Sequence, residues 1–259
     1  MKATESILNV WNKFKYFPME NFTKVWYANQ NPIKRQRSVP LMKQHYEQYK
    51  IAGNCFDLAL WLLDEFRSNQ IQAFAIGHDL FTEHAHVAVI VLDENNVKYL
   101  CDLGDQWIQP ICIDVQSEAF HSNDCHGFFP GATIQVLTKD NHVEILYKRP
   151  SGKVSKQTFD LCAIEEETLL KAAEFSQTLI KTKPLLECRQ YGEEVVHWEF
   201  YNWNSFTSSM GGKVLDEELY SIEDWATRIH LKTGYPYEML LEVLSFFEHY
   251  KCGERSYKL

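Results

Sequence analysis

The chain has 259 residues, 45% hydrophobic and 24% charged, enough to bury a large core in one domain or in two or three packed round a cleft. A formal net charge of −9 argues against nucleic acid as the main partner, because phosphate binding needs a basic surface. No stretch approaches the roughly 18 apolar residues of a membrane span, and Met1-Lys2-Ala3-Thr4-Glu5-Ser6 lacks the apolar run of a secretion signal.

Residues 1 to about 75 read as helical. Ile7, Val10, Trp11 and Phe14 recur at helical spacing, and so do Phe56, Ala59, Leu60, Leu63 and Phe66. The stretch between them, with Pro18, Pro32 and Pro40, reads as a loop, and Lys34-Arg35-Gln36-Arg37 as a solvated part of it. From about 72 to 165 short β-rich runs take over: Ala73–Ile76, His86–Leu92, Val97–Cys101, Ala132–Leu137 and Val143–Lys148. Ile164–Ile180 then has the pattern of an amphipathic helix, a mixed tail follows, and Tyr237–Tyr250 reads as a last helix. The order predicts an α+β protein. Cys55, Cys101, Cys112, Cys125, Cys162, Cys188 and Cys252 form an odd, scattered set of reduced thiols, which points to the cytoplasm. Cys101, Cys112 and Cys162 read as core thiols, and Cys125-His126 as part of a polar loop.

Three residues carry the chemistry. In Gly53-Asn54-Cys55-Phe56-Asp57, Asn54 is a favoured N-cap and Asp57 takes the capping-box position, so Cys55 falls in the first helical turn. A thiolate there is stabilised by the positive end of the helix, and free N–H groups stand ready for a substrate oxyanion. His86 opens one β run and Asp102 closes the next. A hairpin pairing residues whose numbers sum to 188 would place their Cβ atoms roughly 4.5–5.5 Å apart on one face. An imidazole oriented by a carboxylate is the base that activates a cysteine. His84 shares the parity and is the rival base. His84-x-His86 is also a conceivable metal pair, but no CxxC or HExxH accompanies it, and no metal is expected.

These residues resemble the arylamine N-acetyltransferase family, a branch of the papain-like and transglutaminase-like cysteine enzymes. Pro18-Met19-Glu20-Asn21-Phe22 is similar to its Pro-Phe-Glu-Asn-Leu, and Gly53-Asn54-Cys55-Phe56-Asp57-Leu58 to its Gly-x-Cys-Phe-Glu-Leu. Tyr99-Leu100-Cys101-Asp102-Leu103-Gly104 is similar to its Tyr-Leu-Val-Asp-Val-Gly, and Asn202–Thr207 and Gly211–Leu215 resemble stretches of its last domain. The family's Arg-Gly-Gly before the cysteine is here Ile51-Ala52-Gly53, and its Gly-Phe-Gly after the aspartate is Gly104-Asp105-Gln106, then Trp107. The resemblance implies a helical domain (1–75), a central antiparallel β-barrel-like sheet (76–163) and an α/β lid (164–259). It implies Cys55, His86 and Asp102 as a triad that moves an acetyl or other acyl group from a coenzyme A thioester to a small-molecule amine. Asp105, Trp107 and Phe56 are the implied pocket residues. A carboxylate at 105 would repel an anionic donor and attract cationic amines. An amide-forming or amide-hydrolysing relative, or a non-catalytic one, remains open at this point.

Overall fold

A computed structural model of the chain describes residues 2–251. Cys252 and the end of the expected 164–259 segment lie outside them. Seven α-helices and thirteen strands are found among the described residues. The N-terminal part runs α1 (Glu5–Trp11), a 3-10 turn (Asn12–Phe14), β1 (Met19–Glu20), α2 (Phe22–Ala28), α3 (Val39–Tyr49) and α4 (Cys55–Ser68). Strands β2 (Ala73–His78), β3 (His86–Leu92), β4 (Lys98–Cys101) and β5 (Ile111–Cys112) follow. Then come β6 (Cys125–Phe129), β7 (Ala132–Lys139), β8 (His142–Lys148) and β9 (Val154–Asp160). The last part is α5 (Glu166–Thr178), β10 (Leu185–Tyr191), β11 (Val195–Tyr201), β12 (Asn204–Ser209), β13 (Gly212–Leu215), α6 (Ile222–Thr233) and α7 (Tyr237–Lys251).

The expected proline-rich loop is largely helical. Pro40 sits in the first turn of α3, where its missing N–H costs nothing and its fixed φ suits the helix. Arg37, expected in solvent, is 3% exposed. Cys125 is a buried residue of β6 rather than part of a loop, and Cys162 is exposed rather than a core thiol.

The strands form three antiparallel sheets, ordered β2-β3-β4-β5, β6-β7-β8-β9 and β1-β10-β11-β12-β13. In place of one barrel-like sheet, the central region is two four-stranded sheets, neither of them closed. The connection after β9 is tied to β2 where Ile164 N–H donates to Ala75 O at 2.9 Å. One core packs Ile7, Val10, Trp11 and Phe14 against α4 and these two sheets. A second gathers Phe22 and Val25 of α2 with Trp198 and Phe200 of β11, Trp225 of α6 and Leu240, Val243 and Phe247 of α7. Each fully buried side chain of this size contributes about 1.5–3 kcal/mol. The N-terminal segment thus crosses into the C-terminal sheet, with β1 pairing Met19 to Glu187 and Glu20 to Leu186. Among the described residues no helix is long and apolar enough to cross a membrane.

Helix α4 begins as its sequence demands. Asn54 accepts from the N–H groups of Phe56 and Asp57, and Asp57 returns the bond to Asn54 N–H, completing the capping box. Gly53 ahead of it has φ +136°, and a Cβ there would collide with the Asp57 carboxylate. Gly53→Ala should therefore destabilise the protein by about 1–3 kcal/mol in urea unfolding. A variant as stable as the parent would show that this turn does not need glycine.

Candidate active site

His86 starts β3 and Asp102 follows β4, and the hairpin between them brings the two together. Its register pairs Leu92 with Lys98, Ile90 with Leu100 and Val89 with Cys101. The paired numbers sum to 190 rather than 188, because the turn centres on Asn95 rather than on Glu94. The parity is unchanged, so both side chains still share a face. His86 Nε2 lies 2.8 Å from Asp102 Oδ2, with Asp102 fully buried. Cys55 lies beside the ring, its Cβ and His86 Cε1 meeting across Gly104, and it helps to raise the imidazole's pKa. His84 stands in the turn before β3 with its side chain 76% exposed, near Glu83, and takes no part.

Gly104 makes the meeting possible. A Cβ at that position would lie 2.8 Å from both Cys55 Cβ and His86 Cε1, so any other residue would push Cys55 and His86 apart. The turn it belongs to wraps round Asp102, whose Oδ1 accepts from Asp105 N–H at 2.9 Å. Buried Arg189 locks that turn by donating to Trp107 O and Phe14 O, each at 2.6 Å.

The charges are strongly coupled. Burial disfavours a charged His86, but the attraction of Asp102, its hydrogen bond and the Cys55 contact outweigh this and hold the imidazolium well above the ordinary histidine range. Asp105 is pushed up to about 6 by burial and by the neighbouring Asp102 charge, against the pull of His86 and a 2.6 Å hydrogen bond from the Tyr147 hydroxyl. His86, Asp102 and Asp105 each offer a ligand atom within 4.8 Å of the others. A metal would have to displace the bonds those atoms already make to one another and to Tyr147.

Close enough to Cys55 to feel its charge lies Lys24 of α2, which the sequence did not single out. Its ammonium donates to Ser176 O at 2.8 Å and Ser176 Oγ at 3.3 Å. Burial lowers its pKa, while the charges of Cys55 and Asp57 oppose that shift. Arg37 was missed as well: its guanidinium donates to Ala52 O and reaches Asp57 Oδ1 at 3.4 Å. Local sequence gives no signal for either, since their partners are distant in the chain.

Beside the triad a cleft of about 970 Å³ opens between the β6–β9 sheet and the β10–β13 strands. Asp105 and His78 line it, and the His78 ring lies 5.8 Å from that of His86. Its half-buried acids are Asp105, Glu187 and Glu199, with His197 bonded to Glu187 at 3.1 Å. Its outer cations are Arg149, Lys153, Lys156 and Lys213. Two expected pocket residues are elsewhere. Phe56 and Trp107 are fully buried and line no part of the cleft; Trp107 donates to the Tyr147 hydroxyl at 3.3 Å from inside the core. An indole and a phenyl ring held in a packed interior have no room to turn outward.

No family model matches this sequence, and no curated protein matches it. Solved structures do. Arylamine N-acetyltransferase from Mycobacterium smegmatis superposes with a TM-score of 0.74 at 11% identity, over 95% of this chain and 91% of that one. The Mycobacterium marinum enzyme in complex with CoA gives 0.70 at 11% identity, over 94% of each chain. The chain has the arylamine N-acetyltransferase fold. An enzyme of this fold from Bacillus cereus, described as having a Cys-His-Glu catalytic triad, superposes with 0.64 at 14% identity, over 90% of this chain and 92% of that one.

The raised carboxyl at Asp105 has a signed consequence. A folded value of about 6 against 3.8 unfolded means the native state binds the extra proton between those limits, so stability falls as pH rises through that window. The penalty is complete above about 6 and absent below about 4. Asp105→Asn should raise Tm relative to the parent at pH 7 to 8, with the gain fading as pH falls from 6 to 4. A pH-independent difference would show that burial does not perturb Asp105.

Proposed function

We propose that this protein is an acyltransferase of the arylamine N-acetyltransferase type, which carries an acyl group on Cys55 between a coenzyme A thioester and an amine. The observation that carries the reading is that Cys55, at the start of α4, meets His86 across Gly104, and that His86 is held by buried Asp102 at 2.8 Å. The fold shared with enzymes of that activity, one of them in complex with CoA, supports the choice of donor.

The steps follow from these residues. The Cys55 thiolate adds to the thioester carbonyl carbon, and the carbonyl π pair moves to oxygen. As the carbonyl re-forms, the C–S bond of the donor breaks and its thiolate takes the proton held on His86. The neutral imidazole then accepts a proton from the incoming amine as its nitrogen attacks the acyl-cysteine, and Cys55 leaves as thiolate. Asp102 keeps the ring in one orientation and steadies its charge. The outer cations of the cleft suit the donor's phosphates, and the half-buried Asp105, Glu187 and Glu199 suit a positively charged acceptor.

Incubation with acetyl-coenzyme A should add one acetyl group to the intact protein, seen by mass spectrometry and mapped to Cys55. Cys55→Ala should abolish the adduct while keeping the fold, and Asp102→Asn should slow its formation by about 10³–10⁴. An unmodified parent, or an adduct that survives Cys55→Ala, overturns the reading. For the acceptor, an aliphatic diamine should be preferred over a simple arylamine at equal concentration. A preference of about tenfold for the arylamine, about 1.4 kcal/mol in specificity, would show that the acids of the cleft do not select the amine.

A further inference from the structure

Strand β2 ends and β3 begins on a histidine, and the register sets His78 opposite His86 on the same face. Their rings lie 5.8 Å apart with planes tilted by 30°, and Phe159 of β9 packs against both. Each histidine has its own carboxylate. His86 Nε2 is bonded to buried Asp102, and His78 Nδ1 lies 2.9 Å from Oδ2 of Asp79, which is 60% exposed. An ionised carboxylate only accepts, so the neutral His78 ring carries its proton on Nδ1 and keeps a lone pair on Nε2. Gln157 Nε2 faces that lone pair at 3.4 Å, at the long limit of a hydrogen bond. Through Gln157, which lies 3.0 Å from the Tyr147 hydroxyl, the pair connects to Asp105. His78, Asp79 and Asp105 line the cleft, whereas His86 does not. An amine in the cleft therefore touches His78 first.

Such an amine brings one proton more than His86 can take. The acids of the cleft suit an acceptor that arrives as an ammonium, and an aliphatic ammonium ionises at about 10, as a lysine side chain does. It must lose one proton before its nitrogen can attack, and a second as the amide forms. His86 has one nitrogen bonded to Asp102, so it accepts only one of them. Resting on the acyl-transfer reading above, we propose that His78, held by Asp79, is a second general base, which removes the first proton from an ammonium acceptor in the cleft. The Nε2 lone pair forms the new N–H bond, and the pair of the broken N–H bond stays on the amine. That pair bonds to the acyl carbon on Cys55 while the carbonyl π pair moves to oxygen. As the π pair returns, the C–S bond breaks, Cys55 leaves as thiolate and the second proton passes to neutral His86. Asp79 steadies the His78 imidazolium, which gives its proton to water from a side chain 28% exposed. One proton is released per amide formed, and both histidines return to the state in which they began.

Deacylation is measured by itself. Cys55 is acetylated with p-nitrophenyl acetate in the parent and in His78→Gln, which keeps a polar side chain without a base. Loss of the acetyl group to an added amine is then timed by intact mass spectrometry at about pH 7.5. At that pH 1,3-diaminopropane is an ammonium, whereas methoxyamine is already neutral. His78→Gln should deacylate about 100-fold more slowly than the parent with the diamine, and within about threefold of it with methoxyamine. Asp79→Asn, at an exposed position, should show the same split at about tenfold; its absence there overturns the proposal even where His78→Gln fails to fold. A diamine rate within about threefold of the parent in folded His78→Gln overturns it too. So does an equal loss with both amines, which would mean that His78 only supports the His86 ring. A parent that loses its acetyl group to methoxyamine but not to the diamine overturns this proposal and leaves the acyl-transfer reading standing. A parent that takes no acetyl group at Cys55 overturns both.

Discussion

A buried carboxylate anchors the start of α4. Asp57 is 2% exposed, and a charge so placed is tolerated only when every lone pair is used. It accepts from Asn54 N–H at 3.2 Å, Gln36 Nε2 at 2.9 Å and Gln177 Nε2 at 3.0 Å, and faces Arg37 at 3.4 Å. These partners come from the loop before α3, from α4 itself and from α5. The direction of the first turn of α4, and with it the position of Cys55, is set by where they converge. Losing one partner of such a buried pair costs about 3–5 kcal/mol, far more than a surface ion pair. Arg37 also donates to Ala52 O, bracing the strand of chain that enters the helix. The sequence lacks the family's arginine just before the cysteine, yet a guanidinium reaches this spot from another segment.

Charges of both signs surround Cys55. The carboxyls of Asp102 and Asp105 act on His86, and the Lys24 ammonium is held on the last turn of α5. The second carboxyl, Asp105, is pushed towards its neutral form by burial and by the Asp102 charge, against the pull of His86 and of the Tyr147 hydrogen bond. The cleft repeats this arrangement on a larger scale, with half-buried acids inside and lysines and an arginine outside.

What was legible in the sequence was local. The capping box could be read from Asn54 and Asp57 because its partners are three residues apart. The shared face of His86 and Asp102 could be read because parity survives a register shift of two. The α+β order, and strands such as His86–Leu92, followed from periodicity. The misreadings involve residues whose environment is made by distant chain. Arg37 looks like a solvated basic run until Asp57 and Ala52 are seen around it. Trp107 looks like a movable pocket ring until Arg189, 82 residues on, is seen to pin its carbonyl. Strands β5, β6 and β9 are short, polar or interrupted by glycine, and their pairing is set by neighbours rather than by intrinsic preference.

Tyr235 has a consequence for how the protein is made. Its hydroxyl accepts from Ala52 N–H at 2.9 Å, across 183 residues, and donates to buried Glu20 at 3.2 Å, across 215. β1 beside it waits for β10 in the same way. A chain leaving the ribosome from its N-terminus exposes Cys55 early, but the residues that fix its approach arrive among the last. The surroundings of Cys55 are therefore complete only once the chain around Tyr235 has docked.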